Sequence, residues 1–415
     1  MAIVSTALIT NDAVVLGLLA AVLGAVFWTA SRTEGFWKRF YTYVPALLLC
    51  YLIPSIFNSI GLIDGDASGL YPMARDYLLP TSLVLLCIAI DFGAIVRLGP
   101  KAIIMFLTGT IGVMLGALVS FTAMDFIHPE TVAGETWRGM TTLAGSWIGG
   151  GANQAAMKEV FEVEATMFGQ FVAVDVLIGS LWMAVLLFLA GRAKAFDRWT
   201  GADVSAIEDL QKSIETYQAE HSRIPTSTDL MVILGVGLGA TGLSHFLAGP
   251  LVAWIGTLPA AWRLQDFSLT SNFFWIVVFA TTIGLLLSFT RARTLEGAGA
   301  SKIGSAMLYM LVATIGMHMD LAALLDRPWL FLLGFIWILV HGGLMLIVAK
   351  LIRAPLFFMA VGSQANIGAA ASAPVVASAF HPALAPVGVL LAVLGYALGT
   401  YCAYITGLVL RTLAT

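Results

Sequence analysis

Charge is scarce in this sequence: Asp, Glu, Lys and Arg make up 11% of its 415 residues, against about 25% in a soluble globular domain. That scarcity excludes a water-facing surface over most of the chain. The formal net charge of -3 and the lack of any Lys-rich or Arg-rich tract leave no electrostatic footprint for nucleic acid. Cysteine is scarce as well. Cys50, Cys87 and Cys402 lie far apart, with no CxxC pair and no His nearby in sequence, so they read as small packing residues. No Lys or Arg precedes the apolar run that starts at Ala13, so the basic region of a cleavable signal peptide is missing and that run reads as mature structure. There is no HExxH for a membrane zinc protease, and Gly149-Gly150-Gly151 follows no strand and lacks the Lys-Ser or Lys-Thr of a phosphate loop. The absence of a nucleotide-hydrolysing motif points to secondary transport.

What the chain has in abundance is apolar residues, 59% of the total. A membrane-crossing helix needs about 20 of them in succession. Runs of that kind cover Ala13 to Thr29, Tyr43 to Leu62, Tyr77 to Val96, Ala102 to Ala123 and Met167 to Ala190. Five more cover Leu230 to Ala248, Phe273 to Thr290, Ile303 to Met319, Trp329 to Ala349 and Leu384 to Leu410. The expectation is an all-α polytopic membrane protein of about ten spans, in lipid and in the inner membrane of a bacterium.

Two further segments are apolar but unlike spans. Met140 to Phe161 contains Gly-Ser-Trp-Ile-Gly-Gly-Gly-Ala-Asn-Gln, and Pro355 to Phe380 contains Gly-Ser-Gln-Ala-Asn-Ile-Gly-Ala-Ala-Ala-Ser-Ala-Pro. Glycines, amides and Pro374 weaken a continuous helix, and open backbone at membrane depth is tolerated only when buried in protein or lining a wet cavity. These are broken helices or re-entrant hairpins. Cytoplasmic loops collect Lys and Arg. If both segments re-enter, only six of the 21 basic residues fall outside, Arg75, Arg138, Lys158, Arg263, Arg327 and Arg411. Full crossing spreads them far less cleanly, which favours re-entry. The chain then divides into an N-terminal inverted repeat, 1–190, a cytoplasmic linker, 191–228, and a C-terminal inverted repeat, 229–415. A shift of 217 positions superposes Gly145 on Gly362, Ser146 on Ser363, Gly151 on Gly368 and Ala152 on Ala369. In the linker, Val204, Ile207, Leu210, Ile214 and Tyr217 fall on one helical face, the pattern of an amphipathic interfacial helix.

A helix broken near the midplane offers free N–H groups on one half and free carbonyls on the other, which bind anionic and cationic groups without charged side chains. Ser146, Asn153 and Gln154 in the first segment, and Ser363, Gln364 and Asn366 in the second, are the candidate solute ligands. Gly149, Gly151 and Gly368 open the backbone for a coupling ion. The same small and amide residues would also serve as glue between helices. Acidic and imidazole groups inside spans are costly and mark function by default. Asp175 stands out, in an apolar run with no basic residue within a helical turn. It is the candidate coupling residue, as a sodium ligand or a proton acceptor. Asp91 has Arg97 six residues on and can reach the interface, whereas His341 reads as a neutral, hydrogen-bonded imidazole rather than a proton relay. His318 and Asp320 mark the end of a span and read as water-facing.

Four stretches carry a resemblance: Gly145 to Gln154, Val174-Asp175-Val176, Ser363 to Gly368 with Pro374 after it, and the last span with Pro386 to Leu391 and Leu394 to Thr400. Over nearly the full chain the sequence resembles the YjcL-like family of bacterial integral membrane proteins (domain of unknown function 819). More distantly it resembles the group of sodium/proton antiporters and of bile-acid and glutamate–sodium symporters. The resemblance implies an elevator-type carrier, usually a homodimer, whose core bears both discontinuous segments. Asp175 matches by position a carboxylate that several of those relatives carry after the first broken helix. Val174 stands where the antiporter pattern has a second polar residue. The expected function is secondary transport of a small polar organic solute, an anion, amino acid or short peptide, coupled to sodium or protons, with no cofactor beyond a sodium ion. Cation/proton antiport is the alternative. A passive channel fits two inverted, broken halves less well, and an intramembrane enzyme would need Ser146 or Ser363 as nucleophile with no assigned base.

Overall fold

The computed structural model describes residues 7–414 except 33, 45, 66, 204–206, 208–223, 260, 261, 263, 319–325, 382 and 383. Among these the chain is helical, and an isolated bridge between Ile9 and Ile63 is the single extended pairing. That follows from the solvent, because a segment in hydrocarbon must satisfy its own backbone.

In chain order the helices are α1 (Asp12–Ala30), α2 (Gly35–Tyr43) and α3 (Ala46–Ser59). Next come α4, continuous from Leu70 to Ile88 through a π-turn at Ala74–Leu78, and α5 (Phe92–Arg97). They are followed by α6 (Pro100–Ile127), α7 (Thr136–Gly149), α8 (Gly151–Val160), α9 (Ala165–Ala190) and α10 (Ala193–Thr200). The second half holds α11 (Ser227–Ile255), α12 (Asn272–Ser288), α13 (Ala300–Gly316) and α14 (Trp329–Leu351). It ends in α15 (Leu356–Ile367), α16 (Ala369–Ser378) and α17 (Ala385–Ala414).

Among the described residues six helices, α1, α6, α9, α11, α14 and α17, are long and apolar enough to cross a membrane; the number reaches 8 if each of two sharply bent pairs is one span. The other four expected spans do not form such full-length helices over the runs expected, for identifiable reasons. The run from Tyr43 shrinks to α3, 14 residues with Pro54 inside it. The run from Tyr77 breaks after Ile88, where Asp91 leaves helical geometry to cap α5. The runs at Phe273 and Ile303 become α12 and α13, 17 residues each, and α12 turns by 94° into the 3-10 stretch Arg291–Ala298. Met319 and Asp320 lie outside the described residues, as do Val204, Leu210, Ile214 and Tyr217 of the expected linker helix.

The helices pack in two groups. One gathers α1, α3, α4, α11, α12 and α13, with α4 wedged between α12 and α13. The other gathers α6 to α9 with α14 to α17, paired chiefly as α7 on α17 and α6 on α14. Small residues permit the close approaches: a Cβ at Gly284 of α12 would lie 2.8 Å from the Val84 carbonyl of α4. Without a hydrophobic force between helices in lipid, such contacts and interhelical hydrogen bonds hold the bundle.

Candidate functional site

Both discontinuous segments are helical hairpins. In the first, α7 ends at Gly149 and α8 begins at Gly151, and Gly150 between them has φ 78° and ψ -173°. That backbone region is essentially reserved for glycine. The legs close at the far end, where the Trp137 and Phe161 rings lie 5.7 Å apart and Arg138 Nη1 donates to the Phe161 carbonyl at 2.7 Å. In the second hairpin the turn falls at Gly368 and Ala369, the latter with φ 47°, and the Phe357 and Phe380 rings close the legs at 5.4 Å. Each segment therefore returns to the end it came from.

The two mouths lie at opposite ends of α6. Arg327 Nη2 ties the end of α6 to the start of α7 through the Thr131 carbonyl at 3.0 Å and Thr136 Oγ1 at 3.1 Å. At the other end Lys101 Nζ donates to the Arg353 carbonyl at 2.9 Å, beside the start of α15. With a rise of 1.5 Å per residue, the 28 residues of α6 span about 42 Å. Legs of 10 to 14 residues reach roughly 15–21 Å, about half of that length. The hairpins accordingly meet tip to tip: a Cβ built on Gly150 would lie 2.7 Å from Ala369 Cβ.

Asp175 sits beside this meeting point. Its Oδ2 accepts from Ser146 Oγ at 2.6 Å and its Oδ1 from Trp147 Nε1 at 2.7 Å, with the Gln154 side chain close by. The residue is half-buried and makes no ion pair among the described residues. Two turns along the same helix face, Trp182 Nε1 donates to Ser363 Oγ at 2.8 Å. One helix, α9, thus holds Ser146 of the first hairpin and Ser363 of the second, the pair that the 217-residue shift superposes.

Ser363 Oγ also lies 2.7 Å from His341 Nε2, and His341 Nδ1 lies 3.1 Å from the Gly109 carbonyl. A carbonyl can only accept, so Nδ1 carries the proton and Nε2 accepts from Ser363. Every group in this chain is satisfied with His341 neutral, in agreement with the sequence reading. His341 is the base that sequence could not assign to Ser363, but both side chains are fully buried and the hydroxyl is held from two sides.

Asn153 and Asn366 do a different job from the one expected. Asn153 Nδ2 donates to the carbonyls of Gly149 and Tyr396 at 3.0 Å each, and its Oδ1 accepts from Thr400 Oγ1 at 2.6 Å. Asn366 repeats the pattern, with Nδ2 on the carbonyls of Gly362 and Phe106 at 2.9 Å each and Oδ1 accepting from Thr110 Oγ1 at 2.8 Å. Each amide clips its hairpin to a neighbouring long helix through a carbonyl and the threonine one turn on. Both are fully buried and use their hydrogen-bonding capacity internally, so they leave the set of solute ligands. Asn366→Leu should accordingly lower stability by about 2–4 kcal/mol, seen as a fall in the melting temperature in detergent. An unchanged melting temperature would return Asn366 to the solute site.

The two glutamines behave oppositely. Gln364 Nε2 donates to Ser372 Oγ at 2.6 Å, but its buried Oε1 has no partner. Neither Nε2 nor Oε1 of the fully buried Gln154 finds one either. Gly149 is packed on the Gly395 backbone, while Gly151 and Gly368 remain partly accessible at the tips. Sequence reasoning missed Trp147, Trp182, Thr110 and Thr400. Trp147 follows Ser146 directly and Trp182 lies at Asp175 plus seven, one helix face, so both had a signal.

Elsewhere, Asp91 caps α5 through the Ala94 N–H at 2.9 Å and pairs with Arg293 Nη1 at 3.0 Å, so its role is a link between halves. At the mouth of the first hairpin, Lys158 Nζ donates to Tyr71 Oη at 2.5 Å and to Glu159 Oε1 at 2.9 Å. Tyr71 also bonds Glu159. His318 is half-buried against the Tyr71 ring at 5.1 Å rather than fully in water.

Two comparisons bear on this arrangement. The family model described as "Protein of unknown function (DUF819)" matches residues 17–413. The chain is also 23% identical over 359 residues to the "Uncharacterized membrane protein YjcL" of Bacillus subtilis (strain 168), covering 83% of this chain and 85% of that protein.

Proposed function

The chain belongs to the DUF819 family of membrane proteins, and we propose that this member is a secondary active transporter of a small polar organic solute, coupled to sodium or protons. The observation that carries the reading is the meeting of two hairpin tips beside one carboxylate that makes no ion pair among the described residues. Such a tip junction presents backbone ends and amide groups that can replace a hydration shell and release it again. An uncompensated carboxylate there costs several kcal/mol. A proton or a sodium ion on Asp175 removes that cost, and transit of the loaded site is thereby tied to ion occupancy.

The two packing groups support alternating access of the elevator kind. The group with both hairpins, α6 to α9 and α14 to α17, would travel against α1, α3, α4 and α11 to α13, ten spans in all, in a homodimer in the bacterial inner membrane. Few polar bonds join the groups. Thr281 to Thr400 at 3.2 Å, Thr282 to Tyr401 at 2.7 Å and the Lys158–Tyr71–Glu159 cluster are among them.

The topology has its own test. The basic mouth of the second hairpin, with Lys101, Lys350 and Arg353, should face the cytoplasm together with α10. In a background with the three cysteines replaced by alanine, Ala202→Cys should react with an impermeant maleimide only when the cytoplasmic face is open to it. Labelling from the outside of intact cells would overturn the inverted-repeat arrangement. The function itself is tested by uptake into proteoliposomes with and without an ion gradient.

A further inference from the structure

Buried polar atoms with no partner are rare because each costs about 1–3 kcal/mol. Four such atoms, Tyr51 Oη, Gln154 Nε2, Gln154 Oε1 and Gln364 Oε1, belong to helices that surround Asp175. The two glutamines flank the hairpin tips, Gln154 in the first turn of α8 and Gln364 in the last turn of α15. Tyr51 comes from the other packing group. It is fully buried, and its ring lies 6.0 Å from Phe168 of α9, seven residues before Asp175. A cavity of about 310 Å³ bounded by Tyr71, Lys158, Glu164, Ala165, Ile315 and His318 lies on the far side of this pair. Along α9 the order is Ala165 at the cavity wall, Phe168 one turn in, and Asp175 two turns beyond, so Tyr51 and Phe168 stand between cavity and carboxylate.

Resting on the carrier reading, we infer that Tyr51, Gln154 and Gln364 form the solute site, and that the solute is a net-neutral zwitterion of the amino-acid type. The unpartnered Tyr51 O–H suits a carboxylate, and the N-terminal ends of α8 and α16 at the tips add N–H groups of the same polarity, while the Gln154 N–H is turned toward Asp175. The unpartnered acceptors, Gln154 Oε1 and Gln364 Oε1, suit an ammonium. Asp175 is left for the coupling ion. A net anion finds no counter-charge, because α9, α15 and α16 contain no Lys or Arg, and Lys158 is engaged by Glu159 at the mouth.

The test uses the purified full-length protein and its Tyr51→Phe and Gln154→Met variants, with thermal shift against glycine, alanine, serine, leucine and glutamine. Lactate, succinate and the amines matching each amino acid are the comparison probes. At least one amino acid should raise the wild-type melting temperature by roughly 2–5 °C, as a ligand that binds only the folded state must. Its hydroxy-acid and amine counterparts should not. Tyr51→Phe and Gln154→Met should keep or raise the ligand-free melting temperature, since each removes an unsatisfied group, while weakening binding roughly tenfold. A fall in ligand-free melting temperature with unaltered affinity would make these residues structural and overturn the assignment, as would stabilisation by lactate or succinate but by no amino acid. Gradient-driven uptake of an anion alone would leave the carrier reading standing and sink this inference. Amino-acid binding without any coupled uptake would do the reverse.

Discussion

Asp175→Asn should abolish gradient-driven accumulation of solute, a loss of at least about 100-fold, or roughly 2.7 kcal/mol, while leaving the protein folded. The amide has nearly the shape of the carboxylate. Its oxygen can still accept from Trp147 Nε1, and its NH₂ can donate to Ser146 Oγ, so both hydrogen bonds that fix α7 to α9 survive in altered form. The expected cost in stability is therefore only about 1 kcal/mol. What the amide cannot do is bind a proton or balance a sodium ion, and the proposed coupling depends on one of these. Facilitated exchange of solute should persist, because the solute ligands are untouched. Accumulation with wild-type ion dependence in the variant would make Asp175 a structural residue.

Gly150→Val should unfold or misassemble the first hairpin and eliminate transport with it. Gly150 has φ 78° and ψ -173°, a region that costs a residue with a side chain about 1–3 kcal/mol on its own, and β-branching adds to that. The new Cβ would also lie 2.7 Å from Ala369 Cβ, where the two tips meet. We expect the total to exceed about 4 kcal/mol, enough to lower expression as well as melting temperature. Gly235→Ala is the control. This glycine is helical, has nothing within 4 Å of its Cβ position, and should gain about 0.5–1 kcal/mol. Equal melting temperatures for Gly150→Val and wild type would remove the tip junction from the account.

Much of this was readable in the chain because lipid leaves few options. A glycine triplet with amides in an apolar run must break a helix, and a lone carboxylate in such a run must have a purpose, so both hairpins and Asp175 were visible. The roles of Asn153 and Asn366 were not, since their clips depend on threonines 247 and 256 residues away in sequence. An amide in a broken helix looks the same whether it holds solute or a neighbouring helix. Tyr51 was invisible for a related reason: a tyrosine in an apolar run reads as packing, and its unpartnered hydroxyl emerges only when α3 lies against α9. The bounds of the helices at α3, α4, α12 and α13 were not readable, because hydropathy measures apolar length and does not see the bend after α12 or the cap at Asp91.

The most direct test of the carrier account is uptake by the reconstituted wild-type protein, in liposomes with an imposed sodium or proton gradient and in liposomes without one, against labelled amino acids and organic anions. The account expects at least one solute to accumulate above its external concentration with the gradient and only to equilibrate without it. Equilibration at the same rate and to the same level in both would indicate a passive channel, and conversion of the solute an enzyme; either result would contradict the account.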